Sequence, residues 1–179
     1  MIENHNETID EFLTRHAFDV EEAVRKAAAQ EIMPRWRRLA EHEVDRKSGP
    51  HDLVTDADRK AELYLTGVLA ALLPGSVVVG EEAVHADPRS YEAIQDDAPV
   101  WIVDPVDGTR QFVRGDTGFC TLVALARRGV VYASWTYAPV HDQLATAVRG
   151  AGAHLRPRRR RAPPPPAPPP KPPDPPHPH

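Results

Sequence analysis

A chain of 179 residues is long enough to build one domain with a substantial core. Its charge is divided: residues 1–155 carry 16 Lys+Arg against 25 Asp+Glu, whereas residues 156–179 carry six basic residues and one acid. The acidic body gives no reason to expect a nucleic-acid partner, and no apolar run approaches the ~20 residues of a membrane span.

One cysteine, Cys120, excludes an intrachain disulfide, and its apolar setting (FCTLVALA) predicts a small buried hydrophobe. The N-terminal stretch MIENHNETIDEF lacks the basic-then-apolar pattern of a signal segment. The expectation is a soluble cytoplasmic protein.

In chain order, a short helix is expected around Thr8 to Arg15 and a longer one from Asp19 to about Ala40. Val20, Ala23, Val24, Ala27, Ile32, Trp36 and Leu39 recur there at near-helical spacing. Asp19 followed by Glu22 resembles a capping box, and Pro34 should kink or split the helix. Glu43 to Arg46 reads as a short strand and Lys47 to His51 as a loop. Asp56 to Leu73 is the second clear helix. Its apolar face carries Leu63, Leu65, Val68, Leu69, Leu72 and Leu73, and Pro74-Gly75 stops it.

Ser76 to Val79 is a short strand ending in Gly80-Glu81-Glu82. Residues 85 to 99 are polar and read as loop with one helical turn. Val100 to Val103 is apolar throughout, as a strand covered on both faces would be. Phe119 to Ala126 and Val130 to Tyr137 flank Arg127-Arg128-Gly129 as a hairpin, and Asp142 to Val148 is one more strand. Helices first and hairpin strands after favour an α+β fold.

Three acidic clusters stand at element ends: Asp56/Asp58 at a helix start, Glu81/Glu82 after a strand, and Asp104/Asp107 after another. Each has an ordinary explanation alone, as a helix cap, a solvated turn or a turn motif. Together they offer the oxygen ligands that a hard cation such as Mg²⁺ requires. The nine histidines and one cysteine show no zinc spacing. In Asp104-Pro105-Val106-Asp107 the proline stiffens the turn and the valine carbonyl can face inward between the acids. Gly108 permits close backbone approach, and Thr109 adds a hydroxyl. The N–H groups of both are candidates to hold a phosphate at the start of a short helix.

On these motifs the chain resembles the N-terminal half of the inositol monophosphatase family, the lithium-sensitive, Mg²⁺-dependent phosphatases. Lys47 to Thr55 (KSGPHDLVT) fits Lys-x-x-x-x-Asp-x-Val-Thr, and Asp56 to Glu62 (DADRKAE) continues it. Gly80-Glu81-Glu82 fits Gly-Glu-Glu. Trp101 to Phe112 (WIVDPVDGTRQF) fits the Asp-Pro-Ile/Leu-Asp-Gly-Thr signature, with Arg110-Gln111 where Asn usually precedes Phe. Gly150 to Ala153 fits the Gly-x-Gly-Ala after the hairpin strands. The likeness covers roughly residues 10 to 155.

The resemblance implies an α+β fold: half of a layered α/β sandwich, its mainly antiparallel sheet packed on two helices. It implies two or three Mg²⁺ ions. Glu81, Asp104 and the Val106 carbonyl would hold the first, and Asp104 and Asp107 the second. Lys47 would lie on a loop that organises a further metal. Thr109, paired with Asp58, would orient and deprotonate the attacking water, and Gly108 and Thr109 would bind phosphate. The implied reaction is hydrolysis of a small-molecule phosphate monoester, with inositol 1-phosphate as the default and histidinol phosphate as the alternative. A homodimer is one assembly the family implies.

The resemblance also implies a C-terminal half with a Trp-Asp motif that completes the second metal site. Nothing after Ala153 resembles it, so a truncated domain over residues 1–155 and a sheet with an uncovered edge or face are expected. Residues 156–179 form a Pro/Arg-rich tail with 13 of the 20 prolines between Pro157 and Pro178. Four accounts compete for it: a polyproline II ligand, an arginine patch for nucleic acid, a disordered solubilising tail, or a shifted reading frame. The shifted frame is favoured because the break falls abruptly inside the domain. From another class comes a non-catalytic metal-binding body whose tail recruits partners.

Overall fold

A computed structural model describes residues 8–40, 42, 44–46 and 53–156. Lys47 and its loop, and the segment from Pro157 onward, lie outside the described residues.

The first helix, α1 (Ile9–Ala27), is one element where two were expected. Its capping box is Thr8 with Glu11: Glu11 N–H donates to the Thr8 hydroxyl, and Thr8 N–H to the Glu11 carboxylate. Asp19 sits inside the helix and pairs with His16. With no backbone donor missing before residue 34, nothing interrupts the helix at residues 16–18. Near Pro34 the chain widens into a π-turn over Ala28–Ile32 and leaves helical geometry. The proline lacks an N–H and its ring crowds the carbonyl four residues back. Trp36 therefore lies outside the helix, and its indole N–H donates to the Asp116 carbonyl.

Strand β1 (Val44–Arg46) pairs antiparallel with β2 (Leu53–Thr55), and the chain passes directly into α2 (Asp56–Leu72). The buried stripe of α2 is Ala57, Ala61, Leu65 and Leu69, one residue per helical turn, and Leu63 faces outward at 75% exposure. A six-stranded sheet follows in simple chain order. It comprises β3 (Val77–Gly80), β4 (Val100–Asp107), β5 (Cys120–Arg127), β6 (Val130–Ala138), β7 (Gln143–Val148) and β8 (Gly152–Arg156). Only β3 and β4 run parallel. A parallel pair needs a crossover. Here it is α3 (Glu81–Ala86) and a 3₁₀ segment (Pro88–Gln95), where sequence patterning suggests mostly loop. The β5–β6 hairpin closes through Arg128 and Gly129 at φ 50° and 72°, the two positive values a type I′ turn needs.

Helices α1 and α2 cover one face of the sheet. Phe12, Val24, Leu65, Leu69, Trp101, Val103, Leu125, Trp135 and Leu144 are buried between the layers. Trp101 stands edge-on to Phe12 and packs against Trp135, with ring centroids 5.8 and 6.1 Å apart. Each such side chain contributes roughly 1.5–3 kcal/mol by leaving water. A second tie is polar: the buried Glu21 carboxylate accepts from Arg25 and from Arg156, while Arg25 also donates to Asp142. This joins α1 to the start of β7 and the end of β8. On the opposite face Leu122, Ala124, Ser134, Thr136 and Ala147 are half-buried, Ala145 is exposed, and Leu155 is 65% exposed. Among the described residues, this face is covered at the end near β3 and β4, by Val84, Ala93 and Ile94 from the crossover.

Candidate active site

Four acids converge where β3 and β4 end. Gly80 pairs with Val103, so Glu81 leaves β3 level with Asp104. Asp104 and Asp107 are three apart, a spacing that puts side chains on opposite faces of a regular strand. A bulge reconciles them. Asp104 pairs with Leu122 and Asp107 with Cys120, so three steps on β4 match two on β5. Leu122 and Cys120 share a face, and so therefore do the two acids. Pro105 occupies the bulge, where its missing N–H removes no ladder bond, and its carbonyl accepts from the buried Thr121 hydroxyl at 2.8 Å. DPVD is thus a bulged continuation of the strand, not the turn after it.

Gly108 follows at φ 93° and opens α4 (Thr109–Arg114). A Cβ there would sit 2.8 Å from the Gly118 carbonyl oxygen, so this position admits only glycine without movement of the neighbouring backbone.

Asp58 enters from the first turn of α2. It is buried, and its carboxylate accepts from the Thr55 N–H at 2.8 Å and the Thr55 hydroxyl at 2.5 Å, while that hydroxyl accepts from Ala57 N–H. Asp56, its neighbour in sequence, faces outward and pairs with Lys60 and Arg59. One acid of the first cluster therefore belongs to the site and the other is surface.

Thr109 was expected to pair with Asp58. The structure gives each another partner: Thr109 Oγ1 donates to the Val106 carbonyl at 3.0 Å, and Asp58 is held by Thr55. The Val106 carbonyl, expected as a metal ligand, thus already accepts one bond and retains a second lone pair. Cys120 is half-buried and donates toward Asp107 Oδ2 at 3.7 Å, where a small buried hydrophobe was expected. Burial first, then the Asp107 charge, pushes its thiol up to about 11.

Burial raises the Asp104 carboxyl to about 7, reinforced by the negative charges of Glu81, Asp107 and Asp58 and opposed by the Val106 N–H. Asp58 rises to about 6, mainly by burial. Asp104 Oδ1 is buried and has no hydrogen-bond partner among the described residues. A small cavity of about 140 Å³, lined by Gly80, Glu81, Val84, Tyr91, Ile102 and Asp104, lies against Glu81 and Asp104. A larger cavity, about 580 Å³, lies elsewhere, between Arg37 and the end of α4, away from this acidic chemistry.

The donor set fits a hard cation: all oxygen, mutually repelling, with one buried carboxylate oxygen left without a donor. Among the described residues, no three acidic, histidine or cysteine side chains already close on one point as a finished ligand set.

Because the native Asp104 binds its proton more tightly than the ordinary 3.8, the folded state holds more protons across that interval. Stability without metal therefore falls as pH rises from about 3.8 to about 7 and levels off above. Asp58 acts in the same direction up to about 6. Melting temperatures in EDTA across this range check the sign, and added Mg²⁺ is expected to stabilise most above pH 7.

A mixed sheet backed by two helices, with an acid-lined bulge at the end of its one parallel pair, defines a layered α/β sandwich carrying a candidate cation site. The sequence profile of the inositol monophosphatase family matches residues 13–169. The chain belongs to the inositol monophosphatase family. An inositol monophosphatase of Dictyostelium discoideum is 31% identical over 150 residues, covering 84% of this chain and 51% of that protein. An inositol-1-monophosphatase of Rhizobium meliloti is 42% identical over 111 residues, covering 62% and 40%. The solved structure of a Thermotoga maritima IMPase superposes with a TM-score of 0.66 at 28% identity, covering 79% of this chain and 51% of that one. The chain thus spans about half the length of the relatives it matches, and the family match ends within the Pro/Arg-rich segment.

Proposed function

We propose that this chain carries the site of a Mg²⁺-dependent phosphate monoester hydrolase acting on an inositol 1-phosphate-like substrate. The observation that carries the reading is Asp104: a buried carboxylate with an unpartnered oxygen, set among three further acids. Family membership supports the reaction class. Glu81, Asp104, Asp107 and the Val106 carbonyl would hold the cations. Bound Mg²⁺ would supply Lewis-acid stabilisation of the charge on the entering and leaving oxygens of the phosphoryl group.

The chain's own residues do the rest. Gly108 and Thr109, at the start of α4, would bind the phosphate through their backbone N–H groups. Thr109 would turn its hydroxyl from the Val106 carbonyl to the attacking water. Asp58, lifted to about 6, is an acceptor suited to take that proton near neutral pH.

Phosphate release from inositol 1-phosphate and from histidinol phosphate, with Mg²⁺ and with EDTA, tests the proposal. Mg²⁺-dependent release from inositol 1-phosphate in excess of histidinol phosphate is the expected result. The reverse preference would move the substrate to the alternative, and equal release in EDTA would sink the metal mechanism.

A further inference from the structure

Glu62 lies on α2, is only 9% exposed, and belongs to none of the groups assigned above. Its carboxylate reaches across to another element. Oε2 accepts from the Glu82 N–H at 3.0 Å and Oε1 from the Ala83 N–H at 3.3 Å. These are two of the first N–H groups of α3, which lack partners inside their own helix. The N-cap of this helix is Gly80, which has no side chain to make the usual cap. A carboxylate from α2, 20 residues away in sequence, closes it instead.

Gly80 fits the same device. A Cβ on Gly80 would stand 2.1 Å from Glu62 Cδ and 2.3 and 2.5 Å from its two oxygens. Gly80 has φ −98° and ψ 163°, which any residue adopts, so the glycine is there for space and not for conformation. The missing side chain leaves the slot through which Glu62 reaches α3. Glu81 lies between these two positions. Its backbone is bounded by Gly80, pressed against the Glu62 carboxylate, and by Glu82, whose N–H that carboxylate holds.

We propose that Glu62 is a positioning residue: it fixes the start of α3 and so aims Glu81 at the end of β4, with Gly80 as the gap that admits it. The inference rests on the metal reading of Glu81 and Asp104 given above. Outer groups that orient a ligand typically change metal affinity about 10–100-fold when removed.

The test is calorimetric titration of Mg²⁺ alone into the full chain and its variants Glu62→Gln, Glu62→Ala, Gly80→Ala, the Glu62→Ala/Gly80→Ala double, and Asp104→Asn. Circular dichroism melts set a temperature at which each is folded. Glu62→Ala is expected to weaken Mg²⁺ binding about 10-fold or more. Glu62→Gln, which keeps the shape and one acceptor oxygen, is expected to recover part of that loss and covers the case in which Glu62→Ala does not fold. Gly80→Ala should weaken binding as Glu62→Ala does, and the double variant should bind no worse than Glu62→Ala, because the clash disappears with the carboxylate.

Mg²⁺ affinity within twofold of the unmodified chain in both folded Glu62 variants, while Asp104→Asn loses binding, overturns this inference and leaves the metal reading intact. Additive losses from Gly80 and Glu62 overturn the shared-slot account. Absence of Mg²⁺ binding in the unmodified chain, or binding unchanged in Asp104→Asn, overturns the metal reading and this inference with it.

Discussion

Asp104→Asn is expected to reduce Mg²⁺-dependent phosphate release by more than about 100-fold, a loss beyond what removal of an outer-shell partner causes. The same change is expected to raise the melting temperature of the metal-free protein at pH 8. Both follow from one fact. Asp104 carries a buried oxygen with no donor and sits among Glu81, Asp107 and Asp58, so its ionised form is disfavoured until a cation arrives. Asparagine keeps the volume and one oxygen but removes the charge. It takes away the attraction for Mg²⁺ together with the repulsion. The stabilising effect should shrink as pH falls from about 7 toward 3.8 and vanish below that, where the aspartate is neutral in both folded and unfolded chains. Turnover assays, with melts in EDTA at pH 4 and 8, check the pair of outcomes. An unchanged turnover would remove Asp104 from the machinery. A lower metal-free melting temperature at pH 8 would mean its carboxylate is satisfied in the fold.

Gly108→Ala is expected to cost at least about 2 kcal/mol of stability and to abolish binding of inorganic phosphate. Two independent terms act. A non-glycine residue held at positive φ costs about 1–3 kcal/mol, and Gly108 lies at φ 93°. The added Cβ would also meet the Gly118 carbonyl oxygen at 2.8 Å, a backbone atom that cannot swing aside as a side-chain tip would. Relief requires the bulge or the segment before β5 to shift, which displaces the N–H groups of Gly108 and Thr109. Urea unfolding gives the first quantity, and ³¹P line-broadening titration of phosphate with Mg²⁺ gives the second. A variant of unchanged stability would show that the loop at Gly118 yields freely.

Much of the site was legible because its residues are dense in sequence. WIVDPVDGTRQF announces itself through two acids, a proline and a glycine behind an apolar run. The α2 helix was legible through its 3.6-residue repeat, and the β5–β6 hairpin through Arg128-Gly129. What failed did so for physical reasons. Asp19 and Glu22 have the letters of a capping box, but Thr8 and Glu11 took that role and the helix ran on through them. Strands β2 and β8 were not read as strands, because three or five residues become a strand only through a neighbour. Leu63 counts toward the apolar face of α2 in sequence, while packing buries Ala57, Ala61, Leu65 and Leu69 and leaves Leu63 outside.

The amino-acid sequence by itself determined which acids are available, that they stand at element ends, and that the chain shares the motifs of its family. These depend on local spacing and residue type. Only the tertiary structure decided that Asp104 and Asp107 share a face, since that rests on one extra residue counted against β5. Only it separated Asp58 from Asp56, joined Thr109 to the Val106 carbonyl instead of to Asp58, and gave Glu62 a partner on α3. Burial and hydrogen-bond choice are properties of neighbours brought together from distant parts of the chain.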